Sequence, residues 1–102
     1  MKYLHFQLQV KADEVIQVVL QQSAYLRILD DDNYASYRRG DQYRYHGGMA
    51  SGSPAVIKPP TPGAWHLTID LGGEDGEVKA TVHIVNEADP ETKKSRRWGL
   101  FG

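Results

Sequence analysis

The chain of 102 residues contains no cysteine, and this absence excludes disulfide frameworks, zinc ribbons and thiolate nucleophiles. It also has no apolar run near the roughly 20 residues that a membrane-spanning helix needs, so we expect no membrane span. The first residues alternate in polarity, unlike the apolar centre of a secretory signal. The sequence therefore predicts a cytoplasmic protein.

An excess of charge of one sign is also missing. Twelve lysine and arginine residues against 13 aspartate and glutamate residues give a formal net charge of −1. Such a chain has no global basic field, so we expect no sequence-specific binding of nucleic acid. Hydrophobic residues make up 40% and charged residues 25%, which is typical of a globular domain.

Apolar and polar residues alternate with a period of two along most of the chain, which indicates strands with one buried face. The segment 15–20 is apolar on both faces and predicts a central strand. Similar strand patterns cover residues 4–10, 24–29, 42–46, 55–58, 65–71 and 78–84. About seven short strands with frequent turn signals predict an all-β fold, an antiparallel β-sandwich of the jelly-roll type.

The connections between these strands carry their own signals. The acidic cluster at 30–33 predicts a turn that caps the next segment, and residues 34–40 favour at most one short helical turn ended by Gly40. The glycine-rich segment 72–76 has the length of a hairpin connection. The predicted core consists of the inward members of the alternation: Leu4, Phe6, Leu8, Ile16, Val18, Leu20, Leu26, Ile28, Leu67, Ile69, Val78, Val82 and Ile84.

The alternation ends at about residue 86, and the composition changes there. We predict one domain over residues 1–86 and a charged, flexible or loosely docked tail over residues 87–102. The tail joins the basic run 93–97 to Trp98, Leu100 and Phe101. Binding of an acidic partner or a membrane surface by these residues is the alternative interpretation.

Residues 33–46 concentrate arginine and tyrosine between two clear strand patterns, holding three of the six arginines and four of the six tyrosines. Tyrosine faces suit stacking, and guanidinium groups suit pairing with anions. The predicted ligand-binding residues are Asn33, Tyr34, Tyr37, Arg38 and Arg44, with His46 and His66 as neighbours. Alternatively, the tyrosines form a rim of the core and the arginines an ordinary solvated surface.

No motif assigns catalysis, a metal or a cofactor. The four histidines, at 5, 46, 66 and 83, lack metal-ligand spacing, and three of them fall on polar strand faces, where we expect solvent. We therefore predict a non-catalytic binding or interaction module with no cofactor, for a small anionic ligand or a protein partner. The alternative is a small hydrolase or isomerase with His46 or His66 as base, in a cleft beside Asp41 or Asp70.

A homodimer is also expected. Tyr3, Tyr25 and the two-sided apolar strand at 15–20 present more apolar surface than a lone small sandwich readily hides. An interface with a second copy would cover that surface.

Several separated motifs are similar to those of one bacterial family. These are Leu29-Asp30 followed by Asn33-Tyr34, Tyr37 and Gly40, then the segments 45–48 and 63–73. In this order they resemble the bacterial domain-of-unknown-function family 1883, over about residues 1–86. The resemblance implies no assigned activity. Members of that family occur alone or joined to TIR domains, which implies an accessory or sensing role, and nothing in this chain resembles a TIR domain.

Overall fold

Two four-stranded sheets form the molecule in the computed structural model, which describes residues 2–74, 76–88 and 96–97. The elements are β1 (Tyr3–Val10), β2 (Glu14–Leu20), β3 (Ala24–Leu29), α1 (Asp31–Arg39), β4 (His46–Ala50), β5 (Ala55–Ile57), β6 (Gly63–Asp70), β7 (Ala80–Asn86) and β8 (Arg96–Arg97). This architecture confirms the predicted all-β fold. In the described part of the chain, no helix is long and apolar enough to span a membrane.

The strand order is β1-β6-β3-β4 in the first sheet and β7-β2-β5-β8 in the second. All neighbours are antiparallel except β5 and β8, which run parallel. β2 lies between β7 and β5, so it is a central strand, as its sequence predicts. β8 lies within the predicted tail, whose other residues beyond 88 lie outside the described part.

The core lies between the two sheets and consists of the side chains that alternate inward. Ile16, Val18, Leu26, Leu67 and Ile69 are fully buried there. All 13 core residues predicted from the alternation belong to this cluster or pack against it. The period-two pattern therefore identifies the inner faces of both sheets.

The fourth strand differs from the prediction of a strand over 42–46. β4 begins at His46 and continues through Gly47 and Gly48. Gly47 has φ +137°, and a Cβ atom there would lie 2.1 Å from the carbonyl oxygen of Leu26 on β3. Only glycine, which has no Cβ atom, permits β4 to approach β3 so closely at this position. Gly47 and Gly48 are therefore part of strand β4, although their composition indicates a loop.

The predicted hairpin at 72–76 is wrong. β6 is already paired with β1 on one side and β3 on the other, so it has no free edge for the next strand. β7 pairs with β2 in the second sheet instead. The connection after β6 therefore crosses from one sheet to the other.

Helix α1 is longer than the single predicted turn. Asp30 caps it by accepting the backbone N–H of Asn33 at 2.8 Å, as the acidic cluster predicts. Gly40 ends it at φ +79° in the left-handed region. Acidic residues in the first turn and arginines in the last turn also favour the helix dipole.

Candidate functional site

Helix α1 covers the outer face of the first sheet, where it buries polar side chains. Tyr37 on α1 bonds to Asp70, and Tyr34 stacks on His66. As a result His66 is only 6% exposed and Asp70 is fully buried. The alternation correctly puts both residues on the outer face, but the expectation that His66 is solvated is wrong because α1 covers it.

Asp70 is the centre of one polar cluster under the helix. Its carboxylate forms an ion pair with Arg27, accepts the Tyr37 hydroxyl at 2.8 Å and accepts the Gly72 backbone N–H at 2.7 Å. Burial and the bond to Asp70 raise the pKa of Tyr37, so its hydroxyl remains the donor. Tyr25, Tyr37 and Tyr45 surround the Arg27 guanidinium at 5.0, 5.9 and 5.4 Å from their ring centres.

A chain of hydrogen bonds forms the second cluster, at the N-terminal half of α1. Asp31 Oδ1 lies 2.5 Å from His66 Nε2, and His66 Nδ1 lies 2.8 Å from His5 Nε2. The Tyr34 ring stacks over both imidazoles, at 4.0 Å from His5 and 4.4 Å from His66 between ring centres. Burial lowers the pKa of His5, and His66 and Arg38 lower it further by their charge.

A groove opens beside these clusters, where β3, β4 and β6 meet the N-terminus of α1. Its volume of about 660 Å³ falls within the range of roughly 300–1,000 Å³ that ligand pockets occupy. We call it the α1 groove. It is lined by Ile28, Asp30, Asn33, Tyr43, Arg44, Tyr45, His46 and Trp65. Aromatic rings therefore form much of its wall, beside one guanidinium, one imidazole, one amide and the carboxylate of Asp30.

Several side chains of the α1 groove are held in place by the protein itself. Asn33 donates to Asp30 through its amide nitrogen at 2.9 Å and accepts the Arg44 backbone N–H at 2.7 Å. Trp65 donates to the Thr61 carbonyl at 2.8 Å and meets His46 edge to face at 6.1 Å. The exposed Arg44 guanidinium, in contrast, has no ion pair with any described residue.

The seven predicted site residues separate into three groups. Asn33, Arg44 and His46 line the α1 groove. Tyr34, Tyr37 and His66 lie between α1 and the first sheet, in the two polar clusters. Arg38 is exposed on the helix, and its guanidinium lies 5.8 Å from the centre of the Tyr34 ring. The structure thus brings three of the seven together in one concave surface.

Sequence reasoning missed the aromatic wall of the α1 groove. Tyr43 and Tyr45 belong to the arginine- and tyrosine-rich segment but are not among the seven predicted site residues. Trp65 has the parity of the core residues Leu67 and Ile69 and packs against the core as that pattern indicates, but the pattern does not reveal that Trp65 also lines a groove. The density of aromatics around 43–46 was the one available signal.

The carboxylates expected beside a histidine base have other partners. His66 uses both ring nitrogens, for Asp31 and His5. The two carboxylates expected beside a histidine base pair with arginines instead: Asp41 with Arg39 and Asp70 with Arg27. Among the described residues, no group of three histidine, aspartate or glutamate side chains is arranged to hold a metal ion.

Comparison with known proteins gives one match. The family described as "Domain of unknown function (DUF1883)" matches residues 1–88. No curated protein and no solved structure matches the chain. The matched range includes both polar clusters and the whole α1 groove.

Proposed function

The chain belongs to the DUF1883 family of domains of unknown function, and we propose that it is a non-catalytic module that binds a small anionic ligand in the α1 groove. We include in this proposal the cytoplasmic location expected from the sequence and the accessory or sensing role that the family resemblance implies. A fold does not fix a function, so the proposal rests on the chemistry of the groove.

The observation that carries the proposal is the Arg44 guanidinium. It is exposed at the α1 groove and has no ion pair with a described residue, whereas Arg27 and Arg39 each have a carboxylate partner. A guanidinium offers several N–H donors in a planar fork that suits phosphate and carboxylate groups. The Arg44 backbone is also fixed by Asn33, so the side chain extends from a defined point.

The other groove residues favour a ligand that has a flat face as well as an anionic group. Tyr43, Tyr45 and Trp65 offer ring surfaces on which a base or sugar can stack. His46 adds a hydrogen-bonding imidazole on the same wall. A nucleotide or a sugar phosphate combines these features, and an acidic sugar is the simpler variant.

A thermal-shift screen tests the proposal with inorganic phosphate, nucleoside monophosphates, sugar phosphates and uronic acids. A ligand present at 100 times its Kd stabilises a protein by roughly 2.7 kcal/mol, which is several degrees for a domain of this size. We expect at least one compound with both a ring and an anion to raise the melting temperature. Inorganic phosphate alone is expected to give a smaller shift.

Two matched variants locate the site. Arg44→Ala removes the guanidinium in the α1 groove, and Arg38→Ala removes another exposed guanidinium, which lies over the Tyr34 ring outside the groove. We expect the ligand shift to disappear in Arg44→Ala and to persist in Arg38→Ala. Persistence in Arg44→Ala with loss in Arg38→Ala would mean that the site lies on the outer surface near Tyr34.

A screen in which no compound shifts the parent protein would contradict the small-ligand proposal. The protein-partner alternative would then be tested by a pull-down with the parent and the Arg44→Ala variant. Turnover of a compound found by the screen would instead favour the hydrolase or isomerase alternative, and a His46→Gln variant would identify the base.

A further inference from the structure

The hydrogen bonds from Asp31 to His66 and from His66 to His5 limit how many protons the two imidazoles can hold together. The Asp31 carboxylate only accepts, so His66 Nε2 carries a proton and donates to it. When His66 is neutral, its Nδ1 holds a lone pair and accepts the N–H of His5 Nε2 across 2.8 Å. One hydrogen therefore occupies the line between the two imidazoles.

We infer that the His5–His66 pair is an acid-sensitive latch that holds the N-terminal half of α1 on the first sheet and, through Asn33, fixes Arg44 in the α1 groove. The latch would regulate the α1 groove, and only its effect on ligand binding rests on the proposed function. The latch is closed when at least one of the two facing nitrogens has a free lone pair.

Acid opens the latch because two positive imidazoles cannot share a hydrogen bond. A first proton is tolerated, since one N–H still lies between the rings and Asp31 balances the charge. A second proton puts an N–H on both facing atoms, and it adds like charge beside Arg38. The titratable and charged groups that face the pair are Asp31, Tyr34 and Arg38 from α1 and Tyr3 from β1, the last through its hydroxyl contact with Tyr34.

The connection from the latch to the groove runs through adjacent residues of the helix. Asp31 and Tyr34 contact the histidine pair, and Asn33 between them accepts the Arg44 backbone N–H at 2.7 Å. The other half of α1 has its own attachment, from Tyr37 to Asp70. Opening of the latch therefore frees the N-terminal turn and Arg44, while the C-terminal half of the helix stays attached.

Amide hydrogen exchange on the free protein tests the latch without any ligand. We expect protection of the Arg44 amide, corrected for the intrinsic exchange rate, to fall several-fold between about pH 6.5 and about pH 4, because burial and like charge shift binding of the second proton below the ordinary histidine range. The amide of Val18 on central β2 should keep its protection, which separates local opening from global unfolding.

Two histidine variants complete the test. His5→Gln retains an N–H donor for His66 but cannot titrate, so protection of Arg44 should no longer depend on pH in this range. His83→Gln removes an exposed histidine of β7 in the second sheet and should behave like the parent. An equal loss of protection in the parent and in His5→Gln would overturn the inference, as would constant protection in the parent.

A spectroscopic measurement covers the case in which a variant folds poorly. Nitrogen NMR of the parent near neutral pH should show the Nε2–H tautomer for both His5 and His66. An Nδ1–H tautomer at His66 would overturn the proton arrangement. Because no ligand is present in either measurement, failure of the latch is distinguishable from failure of ligand binding.

Discussion

At the residue scale, Asp70 shows how one buried charge is accommodated in a small domain. Its carboxylate contacts β3 through Arg27, α1 through Tyr37 and the following turn through Gly72. A buried carboxylate is costly unless its oxygens are paired and hydrogen-bonded. Three partners from three parts of the chain meet that requirement, so Asp70 stabilises their relative positions.

Asp70→Asn is predicted to destabilise the fold by about 3–5 kcal/mol, the usual effect of removing one partner from a buried ion pair. The side chain of Arg27 is only 13% exposed, so its charge would lose its partner with little access to water. Denaturant unfolding of the parent and the variant measures this change in the free energy of unfolding.

Asp41→Asn is the matched control for Asp70→Asn. Asp41 also pairs with an arginine, but both side chains of that pair are 61% exposed. Exposed pairs contribute roughly 0–1 kcal/mol, so this variant should differ little from the parent. Equal losses in the two variants would contradict the assigned role of Asp70.

The raised pKa of Tyr37 predicts that the free energy of unfolding falls at alkaline pH. Its pKa is raised in the folded state, so above the ordinary tyrosine value of 10.0 the folded protein binds more protons than the unfolded chain. The free energy of unfolding must then fall as pH rises through this range. We expect Tyr37→Phe to be less stable near neutral pH and to show a shallower alkaline decline, measured by urea unfolding at several pH values.

Tyr45→Phe serves as the control, because Tyr45 is 44% exposed. This variant should keep the alkaline slope of the parent. A slope that is unchanged in Tyr37→Phe would mean that the Tyr37 proton is not linked to folding.

The sequence predicted which face each of these residues occupies, but not its burial. Period-two alternation correctly separates His66, Thr68 and Asp70 from Leu67 and Ile69. It does not reveal that a helix lies on the polar face. That helix buries tyrosines instead of aliphatic side chains, so the chain has no second apolar pattern that would have predicted the covered face.

At the element scale, local chemistry predicted the ends of α1 better than its length. Asp30 as cap and Gly40 as terminator follow from residue type. Asp31 and Asp32 have low intrinsic helix propensity, which favoured a turn over 30–33. Tertiary contacts decide otherwise, since Asp31 bonds to His66 and Tyr34 stacks on the sheet.

Strand β4 should be sensitive to one substitution, Gly47→Ala, which replaces a hydrogen atom by a methyl group. Gly47→Ala would put a methyl group 2.1 Å from the Leu26 carbonyl oxygen, so β4 would have to move away from β3. The added methyl also strains a backbone with φ +137°. We expect a marked fall in melting temperature, measured by scanning calorimetry.

Gly63→Ala, in β6, separates the effect of backbone strain from the effect of the close contact between β4 and β3. Gly63 has φ +133°, close to that of Gly47, but nothing lies within 4 Å of its added methyl. This variant should show only the backbone strain, of the order of 1–3 kcal/mol. Gly47→Ala should be less stable than Gly63→Ala by about another 1–3 kcal/mol, and equal stabilities would show that the approach to β3 is not limiting.

At the scale of the whole molecule, the fold class was predictable and the assignment of strands to sheets was not. Alternation determines which side chains face the core, whatever strand lies alongside. It carries no information on the neighbour itself, so the length of the connection after β6 indicates a hairpin although β7 pairs with β2. The α1 groove depends on this arrangement, because β3, β4 and β6 share one sheet.

The surface on which the homodimer was expected is largely covered within one chain. The Tyr3 ring packs edge to face on Tyr37 at 5.1 Å, and a Cβ atom at Gly72 would lie 2.5 Å from the Tyr25 ring. Val15 on the outer face of β2 is fully buried. The large apolar side chains that remain exposed in the described part of the chain are Val19, Tyr45 and Met49.

A homodimer, which stays a prediction, would therefore use a different surface from the one first expected. Tyr45 directly precedes β4 and Met49 lies near its end, at an edge of the first sheet, and they are 44% and 50% exposed. An interface there would pair the edges of two sheets and cover both side chains. Met49→Lys should then give the monomer mass by light scattering at micromolar concentration, whereas Val19→Lys on the second sheet should leave the dimer intact. A parent protein that already has the monomer mass would contradict the homodimer, and a dimer that is lost only in Val19→Lys would move the interface to the second sheet.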